Sequence, residues 1–227
     1  MFYFDTGYLI FVLPAIIIAM IAQSRVSSTF NKYSKVTNAR GITGAEVAQK
    51  ILNLYGIYDV KVERVSGNLT DHFDPRSKVI RLSDGVYSST SVAALGVAAH
   101  ETGHAIQHNK GYVPIKLRNA VLPVANIGSG LAFPLVVLGI IFSYPTLVNF
   151  GIILFSAVVL FQIVTLPVEF NASKRAIAIM ESQYILSDDE LSGAKKVLSA
   201  AAMTYVAATI VALGNLLRLL SLARRDD

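Results

Sequence analysis

Two uncharged apolar runs, residues 122–142 and 147–166, follow one another with only Ser143-Tyr144-Pro145-Thr146 between them. Each matches the roughly 20 helical residues that cross a hydrocarbon core. Inside lipid every backbone N–H and C=O must be paired within the protein, so runs of this length fold as helices, and the charge-free turn joins them as a hairpin. Two further uncharged runs cover residues 6–22 and 200–217. The second of these carries Thr204, Thr209 and Asn215 among its alanines, which suits packing against other helices and leaves open whether it crosses fully. The expectation is a mainly α-helical integral membrane protein with three to four transmembrane helices. A mean hydropathy of +0.53 and 53% apolar residues agree with it.

The polar residues divide the chain further. Residues 1–22 contain no Lys or Arg ahead of the apolar run, so the basic region of a cleavable signal peptide is missing and the segment reads as a retained anchor. Residues 23–121 are long enough for a small α+β domain, residues 122–166 form the transmembrane hairpin, residues 167–199 a helical polar segment, and residues 200–227 a C-terminal apolar helix. Lys and Arg outnumber Asp and Glu by 20 to 15, but no basic block is interleaved with aromatic residues, so no nucleic-acid surface is indicated. The expected partners are membrane lipid and, as argued below, a peptide or protein substrate; no partner protein is indicated.

Within the polar domain, Thr43-Gly44-Ala45-Glu46 is a capping-box pattern that starts a helix ending at Gly56. Val60, Val62 and Val65 alternate imperfectly with charged neighbours as in a strand, residues 66–77 read as a polar loop, and residues 79–82 as a second strand, together suggesting a hairpin. Ser88, Ser89 or Thr90 is expected to cap a buried helix running from Val92 to about His108. A second capping-box pattern, Ser187-Asp188-Asp189-Glu190, starts the final helix.

The buried helix carries His100-Glu101-Thr102-Gly103-His104. Positions four apart stand on one helical face, so the imidazoles of His100 and His104 reach one ion. Glu101 is displaced around the axis, where it need not ligate but can accept a proton from a water activated by that ion, the geometry of a general base. With no cysteine in the chain, His and carboxylate are the strong ligands left, and zinc is the ion expected, one per chain. A catalytic zinc takes a third protein ligand, for which His72, His108, Glu169 and Glu181 are candidates. Glu169 stands out because it follows a membrane span, where a carboxylate is costly, and because two spans separate it from His100 and so return it to the same side. The bland reading of Glu169 is an interfacial carboxylate paired with Lys174 or snorkelling to water. His108 continues the face of His104 but would need a bent helix to ligate, whereas His72 is either a plain loop residue or a catalytic one that helps hold the oxyanion or substrate.

Four motifs, in order along the chain, make a further link: Thr43-Gly44-Ala45-Glu46-Val47-Ala48, Leu69-Thr70-Asp71-His72-Phe73-Asp74-Pro75-Arg76, Val97-Ala98-Ala99-His100-Glu101-Thr102-Gly103-His104-Ala105-Ile106-Gln107, and Leu166-Pro167-Val168-Glu169-Phe170-Asn171-Ala172-Ser173. Through them nearly the whole chain resembles the YugP-type family of bacterial membrane zinc metallopeptidases. The resemblance implies a gluzincin-like domain, Glu169 as third ligand, and a substrate-binding edge strand ahead of the active-site helix, here residues 79–82. HtpX-like membrane peptidases have an Asp at the place of Ser173, so Asn171, Ser173 or another residue has to orient the ligand histidine here.

Arg25, Lys32, Lys35 and Arg40 follow the first run and Lys110, Lys116 and Arg118 precede the second, whereas the turn between the middle runs has none. The positive-inside rule then puts the active site on the cytoplasmic side of a multi-pass plasma-membrane protein. Arg218, Arg224 and Arg225 oppose this if the last run crosses fully. The competing function is a non-catalytic zinc-binding scaffold or protease adaptor, against which stands Glu101, since a structural site needs no proton acceptor beside its ligands; hydrolysis of a non-peptide amide is the enzymatic alternative.

Overall fold

The structure, a computed structural model, describes residues 5–223. Residues 1–4 of the expected anchor, and Arg224 and Arg225 of the charge comparison, lie outside the described residues. Among the described residues, four helices are long and apolar enough to cross a membrane: Tyr8–Tyr33, Val113–Ile141, Pro145–Ser182 and Asp188–Ala223. The fourth therefore has the length that the sequence left open.

The elements in chain order are a π-helical stretch (Tyr8–Val12) continuing into α1 (Leu13–Tyr33), α2 (Gly44–Leu54), β1 (Lys61–Val65), β2 (His72–Asp74), β3 (Val79–Ser83), α3 (Asp84–Tyr87), α4 (Val92–Asn109), α5 (Val113–Ile141), α6 (Pro145–Ser182) and α7 (Asp188–Ala223). Pro167 removes one helical N–H donor but does not stop α6, so the third apolar run and the segment bearing Glu169 form one helix.

The chain divides into two compact units. One comprises residues 1–23, 113–167 and 204–227 and holds the most apolar parts of the long helices. Its helices approach closely where glycine removes a side chain: a Cβ on Gly128 would sit 2.4 Å from the Leu154 carbonyl oxygen, and one on Gly151 would sit 2.8 Å from that of Ala132. Without water to drive association, such close backbone packing is a main source of cohesion between membrane helices. Arg218, largely buried, pairs with Asp5 at 2.9 Å and lies over the Tyr8 and Phe133 rings.

The other unit comprises residues 24–112 and 168–203. Its core gathers Ile51 and Leu52 of α2, Ile80 and Leu82 of β3, Leu95 and Ile106 of α4, and Met180 of α6, all essentially inaccessible. The capping box at α2 forms as expected: the Thr43 hydroxyl accepts from the Glu46 N–H, and the Glu46 carboxylate accepts from the Thr43 N–H.

The sheet corrects three expectations. Both foreseen strands exist, but β1 and β3 run parallel, not as a hairpin, and the supposed loop between them contains β2, which pairs antiparallel with β3. A parallel pair needs a crossover, and here the crossover supplies the third strand. The order β1-β3-β2 makes β3 the central strand, paired on both sides, so residues 79–82 are not an edge onto which a peptide can add; β1 and β2 are the two edges. The apolar run of β3 is what a central, covered strand requires, whereas the three residues His72-Phe73-Asp74 carry no periodic signal.

Candidate metal centre

The helix α4 begins at Ser91, whose hydroxyl accepts from the Ala94 N–H at 3.2 Å, one residue beyond the foreseen caps. Its first turn, from Val92 to Leu95, is entirely buried, as its composition requires. This anchoring sets the rotation of α4, and with it the face that carries His100 and His104. Opposite them α6 presents Glu169, 4% exposed. Gly103 allows the approach: a Cβ there would fall 2.8 Å from the Ala172 carbonyl oxygen, inside contact distance, so only glycine lets the two helices meet at this level.

The Nε2 atoms of His100 and His104 lie 3.3 Å and 3.5 Å from one Glu169 carboxylate oxygen, and ligand atoms of the three residues all fall within 4.8 Å of one another. Ligand bonds of about 2.0–2.2 Å in a tetrahedron put neighbouring donors about 3.3–3.6 Å apart, so both distances fit a shared zinc-sized ion. Two imidazoles and a carboxylate, with no thiolate, also form the donor set of a catalytic rather than a structural zinc.

The far sides of the rings explain why Nε2 faces inward. Gln107 is fully buried, and its amide nitrogen donates to the Val168 carbonyl at 2.8 Å and to the Asn171 side-chain oxygen at 3.0 Å. A carbonyl only accepts, so the amide orientation is fixed and its oxygen, 3.0 Å from Nδ1 of His104, must receive a proton from that ring. His104 thus keeps a proton on Nδ1 and turns Nε2 toward Glu169. Nε2 is then the atom that meets either a second proton or a metal cation opposite the carboxylate, 3.5 Å away. Nδ1 of His100 is 3.0 Å from the Ser173 hydroxyl, which can accept its proton in the same way, and Asn171 is itself held by Nε of Arg175 at 2.7 Å. Of the residues foreseen as orienting a histidine, Ser173 does so for His100, while Asn171 acts one step removed, through Gln107. Sequence reasoning missed Gln107 in this role, although its spacing of three from His104 places it on the same face.

Burial pulls the His104 pKa down, but the Glu169 carboxylate and the charge of Glu101 outweigh it and hold the ring above its ordinary value. Glu101, 9% exposed, accepts a hydrogen bond from the Phe73 N–H of β2 at 3.0 Å, which ties this edge strand to the carboxylate. Close by, burial pushes the Asp71 carboxyl up, against the pull of its hydrogen bonds from the Ser83 N–H and hydroxyl, and the charge of Glu101 adds to the rise.

The remaining candidates lie apart from the cluster. His72 has an exposed ring whose Nδ1 is 2.8 Å from the Thr70 carbonyl. His108 packs edge-on against Phe73 with centroids 5.8 Å apart, and Glu181 is exposed at the end of α6.

Residues 8–224 match the family model described as "Putative neutral zinc metallopeptidase". The chain belongs to that family. Within the zinc metallopeptidase family, a relative from Bacillus subtilis (strain 168), described as "Putative membrane protease YugP", is 48% identical over 222 residues, covering 97% of this chain and 99% of that protein. No solved structure matches. The resemblance read from the four motifs is thereby borne out, and the His100, His104 and Glu169 cluster is a group able to hold the metal that the family's name specifies.

Proposed function

We propose that this protein is a membrane-embedded peptidase that hydrolyses peptide bonds with one zinc ion held by His100, His104 and Glu169 and with Glu101 as general base. The observation that carries this reading is the convergence of two imidazole nitrogens on one Glu169 oxygen, at 3.3 Å and 3.5 Å, beside a fixed carboxylate that is not one of the three donors. When bound there, zinc lowers the pKa of a water to about 7 and polarises a substrate carbonyl. Glu101 takes the proton of the attacking water on its carboxylate and passes it to the leaving amine as the C–N bond breaks. The hydrogen bond from Phe73 holds one of its oxygens in place, and the carboxylate has a second with which to carry the proton. Gln107 and Ser173 keep both imidazoles in the ligating tautomer.

Of the two edge strands, β2 is the one joined to Glu101, through the Phe73 N–H, and an extended substrate lies beside it. His72, exposed on that strand, takes the substrate-contacting role in this reading, and no metal-ligating one. The basic residues around the polar domain, from Arg25 to Arg40 and from Lys110 to Arg118, support a cytoplasmic active site.

The test is metal content and cleavage of casein or a peptide library by the detergent-purified protein, for wild type, Glu101→Gln and Glu169→Ala. One zinc per wild-type chain with cleavage, zinc without cleavage in Glu101→Gln, and loss of zinc in Glu169→Ala are expected. Cleavage by Glu101→Gln at the wild-type rate, or a wild type without metal, rejects the mechanism and favours the scaffold.

A further inference from the structure

A second site lies outside the metal centre. The C-terminal part of α1 and the N-terminal part of α7 border a groove of about 710 Å3. Arg25 and Lys32 line it from α1, and Lys195 and Lys196 from α7; among the described residues no Asp or Glu faces it. Thr29, Ser192 and Ser199 add hydroxyls to its lining, and Ala200 and Met203 add apolar surface. These positions recur at intervals of three and four, so each helix turns one continuous face to the groove. The two helices are held in close contact where a Cβ on Gly193 would lie 2.7 Å from the Tyr33 ring. The packing of α1 against α7 therefore keeps all four cations on one groove.

The level of the groove along the helices gives its second property. Arg25 is the first charged residue after an uncharged stretch that begins at Thr6, and Lys196 is the last before 21 uncharged residues, 197–217. Both helices thus pass from a charged to a hydrocarbon-compatible surface at this level, with Met203 on the hydrocarbon side and Lys32 and Ser192 on the water side. A cationic, hydroxyl-lined pocket with added apolar surface at such a boundary matches a phosphodiester attached to an acyl chain. A free phosphate would satisfy the cations and leave Ala200 and Met203 without a role.

We propose that this groove binds one anionic phospholipid, with its phosphate among Arg25, Lys32, Lys195 and Lys196 and an acyl chain along Ala200 and Met203. Native mass spectrometry of the full chain in neutral detergent, with equimolar phosphatidylglycerol and phosphatidylcholine added, tests it. Wild type is expected to retain phosphatidylglycerol over phosphatidylcholine by about fivefold or more, the worth of at least one interfacial cation. The ratio falls to near one in Arg25→Gln/Lys195→Gln/Lys196→Gln and drops in Ser199→Asp, which leaves every cation in place. It holds in Lys35→Gln/Lys50→Gln/Lys61→Gln, which removes the same charge elsewhere, and in millimolar inorganic phosphate. Circular dichroism melting identifies any variant that has lost its fold, and Ser199→Asp then carries the test. A wild-type ratio near one, an equal fall in the two triple variants, an unchanged ratio in Ser199→Asp, or displacement of the lipid by phosphate overturns the proposal.

Discussion

Replacing Gln107 by Leu removes the acceptor that fixes the His104 tautomer without touching a ligand. The side chain is fully buried and its amide joins three partners: Nδ1 of His104, the Val168 carbonyl and the Asn171 side chain. Leucine fills much of the volume but leaves the His104 N–H without its acceptor. The ring is then free to turn or to shift its proton to Nε2, the ligating atom. Loss of such an outer partner costs about 10–100-fold in metal affinity, or about 1.4–2.8 kcal/mol. Leaving buried polar groups unpaired costs a further 1–3 kcal/mol or so in folding stability. Competition with a chromophoric zinc chelator at neutral pH measures the first quantity, and the melting temperature of the metal-free protein the second. In Gln107→Glu the order reverses: a carboxylate accepts well from His104 but turns an acceptor toward the Val168 carbonyl, so stability should fall more than affinity. Zinc binding by Gln107→Leu within twofold of wild type would refute the assignment of the tautomer to this amide.

Gly103→Ala should lower both melting temperature and zinc affinity, because its methyl would sit 2.8 Å from the Ala172 carbonyl oxygen and overpacking of this kind costs about 1–3 kcal/mol; an unchanged zinc affinity would mean that α4 and α6 need not approach closely to form the site. Asp74 is held well below its ordinary pKa of 3.8 by the Ser77 hydroxyl, Arg81 and the Arg76 N–H. Its contribution to stability is therefore complete above that value and lost as pH falls toward the depressed one. Denaturation of wild type and Asp74→Ala should show the wild type more stable at pH 6 and the gap closing below about pH 4; a gap that does not change with pH would contradict this. For His72→Ala, full zinc content with a raised KM is expected in a peptide assay, and loss of zinc would make His72 a ligand.

The helices and the two clustered histidines were legible in the sequence because their signals are local. An uncharged run of about 20 residues has few alternatives in a membrane protein, and a spacing of four puts two side chains on one face whatever the rest of the chain does. The first capping box was equally local. Glu169 could be singled out, because a carboxylate at the end of an apolar run is costly, but its distance from the histidines could not. That distance depends on the closeness of α4 to α6, which Gly103 permits and the sequence does not announce. The sheet was misread because the pairing of β1 with β3 joins residues 18 positions apart, as in Lys61 with Val79, and nothing within either strand states direction. The same holds for Gln107, whose role required a carbonyl from another helix to fix its amide. Local spacing determined which residues could act together; contacts between elements distant in sequence decided which of them do, and in which protonation state.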